Sequence, residues 1–75
     1  MDEKKALLLE ILEELGSAKL AQIQEAVEAR RMAEPERYAA LTGCSLHDLL
    51  AEMAEEGLVE KHLPEWGAPV YSVRR

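Results

Sequence analysis

The strongest local signal in this sequence is the helix-start motif Ser-Leu-His-Asp at residues 45–48. The hydroxyl of Ser45 can accept a hydrogen bond from the amide of Asp48, and the Asp48 carboxylate can reach back, as in a capping box. Gly57 followed by the apolar Leu58 is typical of a glycine-terminated helix end. The two signals predict a helix over residues 46–56. Its buried stripe is predicted to be Leu46, Leu49, Leu50 and Met53.

The pattern changes from helical to strand-like after this helix. Residues 58–63 and 69–73 are rich in β-forming side chains, and a turn signal lies near Gly67 between them. A two-stranded hairpin follows from this pattern. Since two strands alone are marginally stable, the hairpin must pack on the helices. The predicted contacts are Leu58, Val59, Tyr71 and Val73.

The first half of the chain has the periodicity of two further helices and a short third one. Asp2 can cap the first helix, and Gly16 can end it. A second helix is predicted over residues 19–33, and Pro35 opens a short helix that Gly43 closes. The predicted core of this half is Leu8, Ile11, Leu12, Leu20, Ile23, Val27, Tyr38 and Leu41. Leu9 lies outside the apolar arc of the first helix and is the candidate exposed contact.

Length and charge limit the function. A chain of 75 residues forms one small domain that buries about 60% of its unfolded surface, so it has no room for a deep active site. Fifteen acidic and nine basic residues give a net charge of −6, which opposes attraction to phosphate. We therefore predict that the protein is not an enzyme.

The sequence also gives little support to a metal site or a nucleophile. Cys44 is the single cysteine, and with His47 and His62 it offers three scattered potential ligands, whereas tetrahedral zinc sites need three or four placed together. A Cys44–His47 nucleophile pair would also need an orienting group and an oxyanion site. We predict no metal and no cofactor.

The termini and hydropathy favour a cytoplasmic protein. The chain starts with an acidic segment, and its longest apolar run, residues 6–9, is too short for a signal sequence or a membrane span. We expect a soluble cytoplasmic protein without membrane contact, present as a monomer or a homodimer.

The order of helix, helix, short helix, helix and hairpin is similar to that of a winged helix. The stretches LAQIQEAV and LLAEMAEEGLVEKH with VYSV resemble the second helix, third helix and wing of bacterial winged helix-turn-helix regulators, over residues 7–73. The resemblance implies a mainly α fold with a C-terminal β-hairpin, that is, a single winged-helix domain over residues 1–75 with three to four helices and a two-stranded wing.

In that family, the helix after the turn reads the DNA groove and the wing touches the backbone. Here those segments are residues 45–56 and 58–73. Two features differ from the family: residues 34–44 replace a short turn, and no Lys or Arg lies between Cys44 and Glu60. We therefore expect weak double-stranded DNA binding through the wing and the connecting segment. The candidate contacts are Arg30, Arg31, Arg37, Thr42, Ser45, His47, Lys61, His62, Trp66, Arg74 and Arg75.

Each part of this interpretation has an alternative. An acidic third helix beside an aromatic hairpin tip also suits a protein-docking module that binds a basic protein partner and not DNA. Arg30 and Arg31 either begin a basic patch or lay their stems along the core. Trp66 either stands exposed at the hairpin tip or folds back over the sheet.

Overall fold

The computed structural model describes residues 2–74, which form a mainly helical α+β fold. Three α-helices and a single-turn 3-10 helix combine with a three-stranded antiparallel sheet. In chain order the elements are α1 (Glu3–Leu15), β1 (Ser17–Lys19), α2 (Leu20–Ala33), the 3-10 turn (Ala39–Leu41), α3 (Leu46–Glu55), β2 (Val59–His62) and β3 (Val70–Val73).

The predicted N-terminal caps of α1 and α3 are confirmed, but within residues 2–74 the Asp48 carboxylate does not accept the return bond that would complete the capping box. The Asp2 side chain accepts a hydrogen bond from the amide of Lys4, and the Ser45 hydroxyl accepts one from the amide of Asp48 at 3.3 Å. Each bond satisfies an amide that has no partner inside its helix. Polar side chains before the first turn therefore fix where both helices begin.

Gly57 turns the chain from α3 into the sheet. Its φ of +78° is one that glycine adopts without strain. The amide of Gly57 donates to the carbonyl of Ala54, and the amide of Leu58 donates to that of Met53 at 2.9 Å, which is the Schellman arrangement. Because this motif fixes the chain direction, only residues 56–58 separate α3 from β2.

The hairpin of β2 and β3 is confirmed, but the prediction of a two-stranded sheet was wrong. β1 adds a third strand, and the sheet order is β1-β3-β2. Ala18 is buried opposite Tyr71, between the exposed Ser17 and Lys19. Three residues without a β-branched side chain carry little strand signal, so pairing with β3 and not local propensity makes this segment a strand. A third strand also gives the hairpin the support that it lacks alone.

The connection between α2 and α3 is less helical than predicted. The short helix expected over residues 35–43 is reduced to the 3-10 turn at Ala39–Leu41. Tyr38 and Leu41 are nevertheless buried, as predicted. Leu9, the expected exposed contact on α1, is half-buried and packs against the core, so it offers little free surface.

The core prediction is confirmed for most of its members. Leu20, Leu46 and Val73 are only half-buried, at the edge of the core. The buried residues are Leu7, Leu8, Ile11, Leu12, Ala18, Ile23, Val27, Tyr38, Leu41, Leu49, Leu50, Met53, Val59 and Tyr71. Among residues 2–74, none of the helices combines the length and the hydrophobicity needed to cross a bilayer.

Leu50→Ala tests the packing of α3. Leu50 is fully buried, so truncation should lower the free energy of unfolding by about 2 to 5 kcal/mol, through reduced transfer energy and a new cavity. Leu63→Ala is the matched control: Leu63 is 73% exposed, and its truncation should change stability by no more than about 0.5 kcal/mol. Urea denaturation measures both. Equal values for the two variants would contradict the orientation of α3.

Candidate interaction surface

Two of the predicted contact residues, Arg30 and Arg37, are engaged in ion pairs with α1. Arg30 pairs with Glu14, and Arg37 pairs with Glu10. The two glutamates are four residues apart and therefore lie on one face of the helix. Arg37 also contacts Glu34, and the hydrogen bond with Glu10 raises its pKa above the ordinary value for arginine. Both guanidinium groups thus hold α2 and the connecting segment against α1.

Tyr38 is the centre of this contact. Its side chain is fully buried, and its hydroxyl accepts a hydrogen bond from Arg30 at 3.3 Å. The guanidinium carbon of Arg37 lies 5.3 Å from the centroid of the Tyr38 ring, within the range of a cation–π interaction. These contacts favour the alternative in which Arg30 packs against the core and does not begin a basic patch.

Four other predicted contact residues meet where α2 approaches the start of α3. Arg31, Ser45 and His47 line a groove of about 390 Å³ whose floor includes Val27 and Leu41. A smaller hollow of about 220 Å³ on the other side of Arg31 is lined by Glu28, Met32, Pro35 and Thr42. The structure therefore brings Arg31, Thr42, Ser45 and His47 into one region, with Glu28 as an opposing charge.

The remaining basic candidates lie on the hairpin. Lys61 lies opposite Tyr71 in the strand ladder but is exposed, and the exposed His62 lies on the other face of the sheet. A guanidinium nitrogen of Arg74 lies 3.5 Å from the position that a side chain at Gly57 would take, next to the C-terminal end of α3. A cation there interacts favourably with the helix dipole. Arg75, the last candidate, lies outside the described residues.

The exposed face of α3 is acidic. Asp48, Glu52 and Glu55 follow one another at spacings of four and three residues, so they form a line of about 10 Å along one side of the helix. Within the described residues, only His47 comes within ion-pair distance of any of them, 3.5 Å from Asp48. We call these three residues the acidic face. Its carboxylates are exposed, with His47 beside Asp48 and with Lys5 close enough to Glu52 that this carboxylate, after Glu56, helps to raise the lysine pKa.

The carboxylate of Glu56, at the C-terminal end of α3, is neutralised by an ion pair. Glu56 pairs with Lys5 of α1, and its hydrogen bond raises the pKa of Lys5 above the ordinary value. Because the pKa is raised in the folded state, this contribution to stability is complete below the ordinary lysine pKa and is lost as pH rises through the raised one. Lys5 therefore joins Arg30 and Arg37 among the bases that internal pairs occupy.

Trp66 stands at the tip of the hairpin and is 86% exposed. The alternative in which its ring folds back over the sheet is therefore wrong. Leu63, three residues earlier in the same loop, is 73% exposed. We call these two side chains the apolar tip. Trp66 was predicted as a contact from the sequence but Leu63 was not, because the first β-rich run of the sequence includes Leu63, whereas β2 ends at His62.

The potential metal ligands and the single cysteine form no cluster within residues 2–74. No three His, Cys, Asp or Glu side chains lie close enough together there to hold a metal ion. The thiol of Cys44 is half-buried and donates a hydrogen bond to the carbonyl of Leu41 at 3.3 Å. Cys44 is thus part of the turn before α3.

Comparison with protein-family models, with curated proteins and with solved structures gave no match. Function must therefore be inferred from the charges and exposed side chains of the chain itself.

Tyr38→Phe tests the contact that holds the connecting segment. The change removes only the hydroxyl that accepts from Arg30, and we expect a loss of about 1 kcal/mol in the free energy of unfolding. Tyr71→Phe is the control, because Tyr71 is almost as buried as Tyr38 and its hydroxyl forms no hydrogen bond within residues 2–74. Thermal and urea unfolding give the comparison. A larger loss at Tyr71 than at Tyr38 would contradict the assignment.

Trp66 fluorescence tests the apolar tip. Trp66 is the single tryptophan, so emission reports one site. With 86% of the side chain exposed, the free protein should emit at the red-shifted wavelength of hydrated indole and be quenched readily by acrylamide. Blue-shifted emission that resists quenching would place the ring in a packed environment and remove the apolar tip.

Proposed function

We propose that this chain is a winged-helix docking module that binds a basic segment of a protein partner through the acidic face of α3. The observation that carries the proposal is the line of Asp48, Glu52 and Glu55, exposed on the helix that a DNA-binding winged helix would use for reading. Three carboxylates would repel phosphate at that position, whereas they attract lysine and arginine.

The distribution of the basic residues supports the same function. Lys5, Arg30 and Arg37 are occupied by carboxylates of the chain itself. Two of the three arginines expected to contact phosphate from α2 and the connecting segment are thereby neutralised. A partner that approaches α3 meets three exposed carboxylates that form no ion pair with Lys or Arg within residues 2–74, so the partner would supply the positive charge.

The acidic face can be tested with a labelled basic peptide of about 25 residues, in which Lys and Arg recur every three to four positions among Ala, Gln and Ser, a length of about 38 Å as a helix. In fluorescence anisotropy, the variant D48N/E52Q/E55Q should bind this peptide about tenfold more weakly than the unchanged protein. Three exposed ion pairs of about 0.5 kcal/mol each account for that factor.

A second triple variant controls for net charge. E13Q/E25Q/E36Q removes three exposed carboxylates outside α3, so both triple variants shift the net charge by the same amount, from −6 to −3. The control should weaken binding much less than the α3 variant. Equal losses in the two variants would mean that only total charge matters, and the proposed site would then be wrong.

DNA binding is the second candidate function, because one group of bases is unoccupied. Arg31, Lys61 and Arg74 form no ion pair within the residues that the structure describes. Arg31 lies beside Ser45 and His47 at the start of α3, and the other two belong to the hairpin. If DNA is the ligand, the protein docks weakly on the duplex through the hairpin and the start of α3, with the acidic face turned away from the DNA.

A salt series with random duplex DNA separates the two functions. Phosphate contacts release counterions, so log affinity must fall linearly with log salt concentration. If DNA is the ligand, replacing Lys61, Arg74 and Arg75 with Gln should flatten that slope by about one for each cation that neutralises a phosphate. We expect DNA binding that is much weaker than peptide binding at physiological salt. The reverse order of affinity would favour the DNA-binding function.

A further inference from the structure

The connecting segment, residues 34–44, is held in place more by its side chains than by its backbone. It contains a single 3-10 turn, and the amides of Tyr38, Leu41 and Thr42 donate to carbonyls of the segment itself. The buried side chains of Tyr38 and Leu41 and the guanidinium of Arg37 attach it to the helices. Segments with little backbone hydrogen bonding to their neighbours open locally at low free-energy cost.

The other elements of the domain are joined to one another without this segment. α1 packs on β1, β3 and α2, and α3 packs on β2 and α2. The three strands are hydrogen-bonded into one sheet. The elements on either side of the connecting segment therefore stay in contact when the segment opens.

Four charged side chains meet at the middle of the connecting segment. Glu10 and Glu14 lie one turn apart on α1. Arg37 pairs with the first of them and Arg30 with the second. Arg30 also donates to the Tyr38 hydroxyl at 3.3 Å, and Arg37 lies 5.3 Å from the centroid of the same ring. Both ion pairs thus act on one buried side chain of the segment.

These two ion pairs are open to solvent. Between 24% and 59% of each of the four side chains is exposed. Ion pairs at such sites are individually weak, and added salt screens them. The burial of the Tyr38 ring does not depend on charge. Salt therefore weakens the electrostatic part of the attachment and leaves the apolar part.

We infer that the two ion pairs form an electrostatic latch: when their charges are screened or removed, the connecting segment opens more often while the remaining domain stays folded. Opening uncovers Leu41, which belongs to the floor of the groove at the start of α3, so access to that groove depends on ionic strength. Neither Glu10 nor Glu14 belongs to the acidic face, so the latch is independent of the proposed function.

Amide hydrogen exchange followed by NMR tests whether the segment opens by itself. The hydrogen-bonded amides of Leu41 and Thr42 should be about tenfold or more less protected than the amide of the buried Leu50 in α3. Low concentrations of urea should speed exchange at Leu50 but hardly at the other two, because a local opening exposes little surface. Equal protection and equal urea dependence at all three amides would mean that the segment opens only on global unfolding, and the latch would be wrong.

The variant E10Q/E14Q tests the ion pairs. The amides of Leu41 and Thr42 should exchange about fivefold faster in this variant than in the unchanged protein, the factor that two exposed ion pairs account for. The control E13Q/E25Q changes the net charge equally but removes exposed carboxylates that form no ion pair within residues 2–74. The control should change the two rates much less.

A salt series on the unchanged protein gives a second measurement. Raising the salt from about 0.01 M to about 1 M shortens the Debye length from about 30 Å to about 3 Å. Exchange in the connecting segment should then approach the rate of E10Q/E14Q, whereas that variant itself should respond little to salt. Equal rates in the two double variants, or an undiminished salt response in E10Q/E14Q, would overturn the latch.

Discussion

The burial of Tyr38 is the contact on which the arrangement of the helices depends. The segment between α2 and α3 has only one 3-10 turn of regular structure, so backbone hydrogen bonding alone cannot hold it. The ring of Tyr38 fixes its middle in the core, and Arg30 and Arg37 connect the same place to α1. From this fixed segment the chain enters α3, which is held in turn by its buried Leu49, Leu50 and Met53 and by contacts with β2 and α2.

The contacts around Tyr38 also determine which basic residues are engaged within the domain and which stay available to a partner. Exposed ion pairs add little to stability individually, but those around Tyr38 have a second effect, because each removes a base from the surface that a polyanion would meet. What remains is a helix face of carboxylates on one side and a few bases on the hairpin and at the start of α3. The domain thereby presents negative charge on α3, the helix that would read DNA if the predicted winged-helix resemblance holds.

Local signals predict the helices well and the connections less well. Asp2, Ser45 and Gly57 act through hydrogen bonds to their own neighbours, so the sequence alone is enough to place α1 and α3. β1 exists because a distant strand pairs with it, and nothing in its own three residues requires that. The ion pairs of Arg30 and Arg37 likewise connect α1 to residues far away in the chain, so sequence alone leaves both arginines as candidate DNA contacts. It also leaves the exposure of Trp66 open, since turn signals place a residue but not its ring.

The sheet order leaves β2 at an edge, with one row of its backbone hydrogen-bonding groups facing outward. If two copies joined their β2 strands about a twofold axis, the two strands would be antiparallel. Even-numbered residues would then lie opposite even-numbered residues, and odd-numbered opposite odd-numbered. The axis would then bring Glu60 against Glu60 or Lys61 against Lys61 of the second copy. Like charges directly opposite destabilise strand pairing. These two registers of pairing through the β2 edge are therefore disfavoured, while β1 forms the other edge of the sheet.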